Sequence, residues 1–173
     1  MTPPPLILTL KLDRITFNRL NDLRQRHFPP ARNFLPAHIT LFHALPGDRA
    51  ESIESHLETV CAETEWMKLK FPTVRSLGRG VAAEIDAPDL LRLRQRLAID
   101  WQSWLTRQDQ QKYRPHVTIQ NKVSPEEAKQ LYQELAASWE PIEAIGEGLL
   151  LWRYLSGPWE LAREFSFAKS DSF

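Results

Sequence analysis

Two short segments that lie almost half the chain apart carry the same pattern, and they limit the fold more than any other feature. The first, with the letters HITL, begins at His38, and the second, HVTI, begins at His116. Because the side chains of an extended chain alternate between its two faces, each segment predicts a strand with histidine and threonine on one face. The aliphatic residues of the other face suit a core, so the polar face needs a separate explanation.

The elements predicted around these segments follow the same order in each half of the chain. Alternating or continuous apolar residues predict strands at 6–12, 38–45, 67–71, 81–85, 116–122, 142–155 and 159–167. Apolar residues spaced by three or four predict helices at about 17–27, 49–64, 90–104 and 125–135. The turn at 77–80 joins the strands 67–71 and 81–85 as a predicted hairpin. The helical arginines, Arg24 and Arg94 among them, fall on faces predicted to contact solvent.

This order of elements predicts an α+β fold. The two histidines lie 78 positions apart (116 − 38), each at the same place in its half. We therefore expect a duplicated, two-lobed fold within a single domain of residues 1–173, with lobes of roughly 1–78 and 79–173. In such a fold, antiparallel sheets line a central cleft and the helices pack outside.

The composition is that of an ordinary globular protein. The chain has 22 basic and 22 acidic residues, so no overall field draws it to nucleic acid or to an anionic membrane. Its one cysteine, Cys61, excludes an internal disulfide framework, and no apolar run has the length of a membrane span. The first residues lack the basic region of a signal peptide. We expect a cytoplasmic protein with no membrane and no obligate protein partner.

Two imidazoles that face each other across a cleft are suited to acid-base catalysis. An ordinary histidine pKa of about 6.5 allows one ring to begin as a base and the other as an acid. The natural reaction is an in-line displacement at phosphorus, in which Thr40 and Thr118 hold the non-bridging oxygens. It requires no metal and no cofactor, and His38 and His116 are its candidate catalytic residues.

The two segments, HITL at 38–41 and HVTI at 116–119, resemble the paired motifs of the 2H phosphoesterase superfamily. Bacterial members of that superfamily include 2′-5′ RNA ligases and cyclic phosphodiesterases. The resemblance implies a two-lobed fold and metal-independent opening of 2′,3′-cyclic phosphates or related phosphodiesters, at RNA ends or on small nucleotides. It also implies that His38 and His116 are catalytic and that Thr40 and Thr118 bind phosphate. Reversible 2′-5′ RNA ligation is a further implied activity.

Three other substrate-binding residues are predicted from position alone. Phe42 continues the face of the first histidine and is a candidate for stacking on a base. Arg79, in a glycine-flanked turn, is a candidate phosphate ligand. Tyr154 shares a face with Trp152 on a late strand that is a candidate floor of the cleft.

Two other classes of function remain open on the sequence alone. One is a metal site formed by His38, His43 and His116, although no cysteine cluster or carboxylate partner accompanies them, and the parity of His43 favours a structural role. The other is a non-catalytic RNA- or nucleotide-binding module that keeps the cleft. The six glycines form no phosphate-binding loop, which argues against hydrolysis of nucleoside triphosphates.

Overall fold

The computed structural model describes residues 2–170 and confirms the predicted α+β class. The strands in this range are β1 Leu6–Leu12, β2 Thr40–Leu45, β3 Met67–Phe71, β4 Val74–Ser76, β5 Val81–Glu84, β6 His116–Gln120, β7 Ile142–Tyr154 and β8 Trp159–Ser166. The helices are α1 Arg14–His27, α2 Ala50–Ala62, α3 Pro88–Asp100 and α4 Pro125–Ser138. None of these helices combines the length and the apolar character that a bilayer span requires.

The strands form two antiparallel sheets. The first sheet has the order β2-β1-β7-β3, with β8 also paired to β7, and the second has the order β4-β5-β6. The long strands β7 and β8, from the end of the chain, therefore complete the sheet that β1 begins, and β4 lies in the other sheet. The sheets thus mix strands from both sides of residue 78.

The prediction that the strands 67–71 and 81–85 form a hairpin is wrong. β3 pairs with β7, and the partner of β5 across the turn at Gly78 is the short strand β4. An isolated antiparallel bridge joins Lys70 to Asp86, the residue that follows segment 81–85. β4 has three residues, Val74–Ser76, which is too short a run for side-chain alternation to identify a strand.

Helix α1 joins the two sheets because it packs against β6 of the second sheet and β7 of the first. Its inward side chain Leu20 is fully buried. The predicted apolar stripes of α2 and α3 are buried as well, and Cys61 is part of the same hydrophobic core. α2 packs against β8 and α4 against β4.

Asp13 fixes the start of α1 and attaches it to the sheet. One carboxylate oxygen accepts the backbone N–H of Thr16 at 2.9 Å, and the other accepts the backbone N–H of Ile145 at 2.9 Å. Ser124 caps α4 by one comparable bond, from the N–H of Glu127 at 3.2 Å. Asp13 thus combines a helix cap with a bond to β7.

We expect Asp13→Ala to lower the free energy of unfolding by about 2–3 kcal/mol and Ser124→Ala to lower it by about 1 kcal/mol. The difference arises because Asp13 loses a bond to β7 in addition to the helix cap. Urea unfolding of the two variants at neutral pH measures it. Equal effects would mean that the bond to Ile145 contributes nothing to stability.

Candidate active site

The two predicted histidines lie at the beginnings of strands that belong to different sheets. His38 lies two residues before the first residue of β2, and His116 is the first residue of β6. Both line one cavity of about 410 Å³, together with Thr40 and Thr118. The cavity therefore takes its polar residues from the first sheet and the second, and the four residues predicted from the paired motif meet in it.

Each of these histidines is held by the carbonyl of the residue two positions before it. The Nδ1 of His38 lies 2.8 Å from the carbonyl oxygen of Pro36, and the Nδ1 of His116 lies 2.9 Å from that of Arg114. A carbonyl oxygen only accepts hydrogen bonds, so the proton of each neutral ring is on Nδ1. The Nε2 of each ring is left free to accept or give a proton.

The environment keeps both rings neutral at pH 7. Burial lowers the pKa of His38 to about 4; its hydrogen bond to Pro36 opposes this effect, and the charge of Arg24 adds to it. Burial also lowers the pKa of His116, and the charge of Arg75 adds to that effect. A bound phosphate anion favours the charged form of a neighbouring imidazole, so the site is arranged to gain a proton together with an anionic ligand.

Two arginines predicted to contact solvent are buried beside the site, so that prediction is wrong for them. Arg24 is 5% exposed and donates from Nη1 to the carbonyl of Thr118 at 3.0 Å. Arg94 is 7% exposed and donates from Nε to the carbonyl of Leu41 at 2.7 Å. These bonds offset the cost of burying a guanidinium, which helical periodicity does not reveal. Each arginine thus binds the His-bearing segment of the opposite half.

Phe42 does not contribute to the cavity, which corrects its prediction as a base-stacking residue. Its side chain is 0% exposed. The guanidinium of Arg94 lies 4.0 Å from the centre of its ring, and the ring of Trp101 packs edge-on at 5.4 Å. Both contacts belong to the core, so no face of this ring is available to a ligand.

A β-bulge explains why the side chain of Phe42 does not point to the same side as that of His38. Phe42 lies opposite Leu8, whereas Thr40 lies opposite the next residue of β1, Thr9, so β2 has one extra residue between the two pairs. A bulge of this kind redirects the side chains that follow it. As a result, His43, which the parity argument placed with the core residues, is exposed and lines the cavity.

Arg79 and Tyr154 also lie outside the cavity lining, so their predicted contacts with substrate are not found there. Arg79 donates from Nε to the carbonyl of Val123 at 3.0 Å, at the far end of β5 and β6. Tyr154 is exposed at the end of β7. Trp159 pairs with Tyr154 across β7 and β8 and lies beside the cavity, where Tyr154 was predicted to lie. The ring centre of Trp159 is 4.9 Å from that of His38.

The opposite wall of the cavity is a loop that the sequence analysis did not identify. Residues of the connection between α3 and β6 line it, namely Gln108, Asp109, Gln111, Lys112, Tyr113 and Arg114. The hydroxyl of Tyr113 donates to the carbonyl of Thr40 at 2.9 Å, which attaches the loop to β2. The loop has neither a helical nor a strand period, and only its position directly before His116 indicates a role.

A second, more apolar groove of about 540 Å³ continues from this cavity and shares His38 and Trp159 with it. Its walls include the aromatic side chains of Phe17, Phe34 and Trp152. Phe34 is largely exposed, whereas the indole N–H of Trp152 donates to the hydroxyl of Thr9 at 2.9 Å. The groove therefore presents aromatic surface beside the histidines.

Within the described residues, no set of side chains near the histidines is arranged to bind a metal ion. Across residues 2–170, no group of three or more His, Cys, Asp or Glu side chains is arranged to hold a metal ion. His38, His43 and His116 line one cavity but do not form such a group.

Comparison with known proteins identifies the family of the chain. The sequence model of the 2'-5' RNA ligase superfamily matches residues 13–158. A protein from Thermus thermophilus called TT0787 superposes with a TM-score of 0.69 at 16% identity, over 96% of this chain and 99% of that one. E. coli LigT in its apo form gives a TM-score of 0.64 at 17% identity, over 97% and 99%. No curated protein matches the sequence.

The low pKa of His38 predicts a specific dependence of stability on pH. The folded state keeps this ring neutral down to about pH 4, whereas the unfolded chain binds a proton below about pH 6.5. The stability that depends on the neutral ring is therefore present above pH 6.5 and lost as the pH falls towards 4. We expect His38→Gln to lose less stability than the wild type between pH 7 and pH 4.5. Urea unfolding at both pH values tests this, and identical losses would contradict it.

Proposed function

Because the chain belongs to the 2'-5' RNA ligase superfamily, we propose that its twin-histidine cavity hydrolyses 2′,3′-cyclic phosphates or related phosphodiesters of RNA ends or small nucleotides. The resemblance to the 2H phosphoesterases is confirmed at the level of the family, and the family supports a phosphoesterase or ligase activity. One observation carries the finer proposal. The rings of His38 and His116 both line the cavity, both have Nδ1 bonded to a backbone carbonyl, and both keep Nε2 free.

In the proposed reaction the Nε2 of one neutral imidazole takes a proton from water while the water oxygen bonds to phosphorus. The phosphorus bond to one ribose oxygen breaks, and the Nε2–H of the other, protonated imidazole gives its proton to that oxygen. His38 has its pKa lowered to about 4 and therefore acts as the base, and His116 acts as the acid. The hydroxyls of Thr40 and Thr118 donate to the non-bridging oxygens. The two rings exchange roles when the reaction is reversed.

The proposed substrate carries a nucleoside, since the apolar groove shares His38 and Trp159 with the cavity. Stacking of a base on an aromatic side chain contributes about 1–3 kcal/mol, and Trp159 offers such a ring beside the reacting phosphate. Structures of E. coli LigT complexed with ATP and with 3'-AMP support a nucleotide ligand. When a 5′-hydroxyl replaces water as the attacking group, the same proton transfers form a 2′-5′ bond, which is the proposed ligation.

We expect His38→Gln and His116→Gln each to lower kcat on a nucleoside 2′,3′-cyclic monophosphate by about 10²–10⁴, because each removes one proton transfer. Thr40→Ala and Thr118→Ala lose less, about tenfold to 10²-fold, because the second hydroxyl still binds the phosphate. Chromatography of the product in the presence of EDTA measures turnover and shows which ester bond breaks.

His56→Gln is the matched control because His56 pairs with Asp100 at 2.8 Å, and neither lines the cavity. It should keep wild-type activity. Full activity of either active-site His variant, or loss of wild-type activity with EDTA, would contradict the mechanism. Binding of 3′-AMP by a wild type that turns over no phosphodiester would favour a non-catalytic nucleotide-binding module.

A further inference from the structure

The loop wall of the cavity contains a buried carboxylate that the proposed reaction does not use. Asp109 is 2% exposed. Its carboxylate accepts the backbone N–H groups of His43, at 2.9 and 3.0 Å to its two oxygens, and of Ala44 at 3.0 Å. Its own carbonyl accepts Nη2 of Arg94 at 2.7 Å. The carboxylate is thus fixed in position by main-chain donors of β2.

The same carboxylate orients a third imidazole of the cavity. The Nδ1 of His43 lies 3.1 Å from Oδ1 of Asp109, so the free nitrogen of this ring is Nε2. The side chain of His43 is 49% exposed, and it lines the cavity with His38 and His116. Its charge lowers the pKa of both of these rings, which places all three within electrostatic reach of one another.

The lining of the cavity that contains His43 carries more positive than negative charge. Arg75 and Arg114 line the cavity and share a single carboxylate, Glu84, at 3.2 and 2.8 Å. Lys112 lines it too, and within residues 2–170 it forms no ion pair. The carboxylate of Asp109 is buried against β2, so it offers little negative surface to a ligand. A second anion is the ligand that this wall favours.

We propose that His43, oriented by Asp109, and Lys112 form a second anion subsite, which binds a further phosphate of the substrate. This inference rests on the proposed function, since it takes the twin histidines as the site of the reacting phosphodiester. His43 is three residues beyond Thr40 on β2, but because of the bulge it is only about two positions of β1 away, roughly 7 Å along the strand, which is the scale of one nucleoside. The substrate class is then a nucleotide with phosphate on both sides of one ribose, as in RNA ends and nucleoside bisphosphates.

The ring of His43 has the chemistry that this role requires. The ring meets the carboxylate of Asp109 through Nδ1, and in the proposed subsite the N–H of its Nε2 is donated to a phosphate oxygen. The resulting hydrogen bond to phosphate is charge-assisted, and such bonds are stronger than neutral ones. No bond of the substrate is made or broken at this subsite, so His43 is a specificity residue.

Calorimetric titration with adenosine 3′,5′-bisphosphate and adenosine 3′-phosphate tests the subsite without any turnover. We expect the wild type to bind the bisphosphate about tenfold more tightly. His43→Gln should reduce this preference to about twofold and leave the affinity for adenosine 3′-phosphate unchanged, and Lys112→Met should reduce it in the same direction. His56→Gln, which removes a histidine from a His–Asp pair outside the cavity, should keep the wild-type preference.

Equal wild-type affinities for the two nucleotides, or no binding of either, would overturn the subsite. So would an equal loss for both nucleotides in His43→Gln, because His43 would then act on the reacting phosphate. The proposed reaction fails independently of these results: a wild type that prefers the bisphosphate and hydrolyses no phosphodiester keeps the subsite and loses the reaction.

Discussion

The site depends on one interaction that occurs twice, the hydrogen bond from the Nδ1 of a histidine to the carbonyl two residues before it. Pro36 provides that carbonyl for His38, and Pro115 lies between Arg114 and His116. Proline restricts the backbone of both approach segments, because its ring fixes φ. The acceptor is thereby held in place, the tautomer follows from the acceptor, and the free Nε2 of each ring follows from the tautomer.

The arginines that hold the two His-bearing segments also influence the charge of the site. Arg24 reaches from α1 to the carbonyl of Thr118, and Arg94 reaches from α3 to the carbonyl of Leu41. These bonds attach α1 to β6 and α3 to β2, and the charge of Arg24 adds to the burial that lowers the pKa of His38. The packing that assembles the cavity therefore also keeps His38 and His116 neutral until an anion arrives.

Local periodicity was sufficient to predict most elements and the central residues of the cavity. His38, Thr40, His116 and Thr118 follow from side-chain alternation in two short strands, and that alternation depends only on backbone geometry. Phe42 was misplaced because a bulge in β2 breaks the alternation after Thr40, and no residue near it in the sequence signals the extra position.

Contacts between distant segments account for the remaining errors. Asp109 binds His43 across 66 positions of the chain, and Arg94 binds Leu41 across 53, so neither pairing leaves a local pattern. Helical period assigned Arg24 and Arg94 to a polar face, yet that face packs on carbonyls of another strand. The features of the site that could not be predicted from the sequence are contacts between a loop and a strand from the other half of the chain.

The dependence of kcat/KM on pH for a nucleoside 2′,3′-cyclic monophosphate shows whether His38 and His116 are the base and the acid of the reaction. Its limbs report the free-enzyme pKa values of the base and the acid, and the phosphodiester itself does not titrate in this range. Since the pKa of His38 is lowered to about 4 and that of His116 is also lowered, we expect a bell-shaped profile with its maximum on the acid side of pH 6.5. A kcat/KM that continues to rise above pH 6.5 would contradict it.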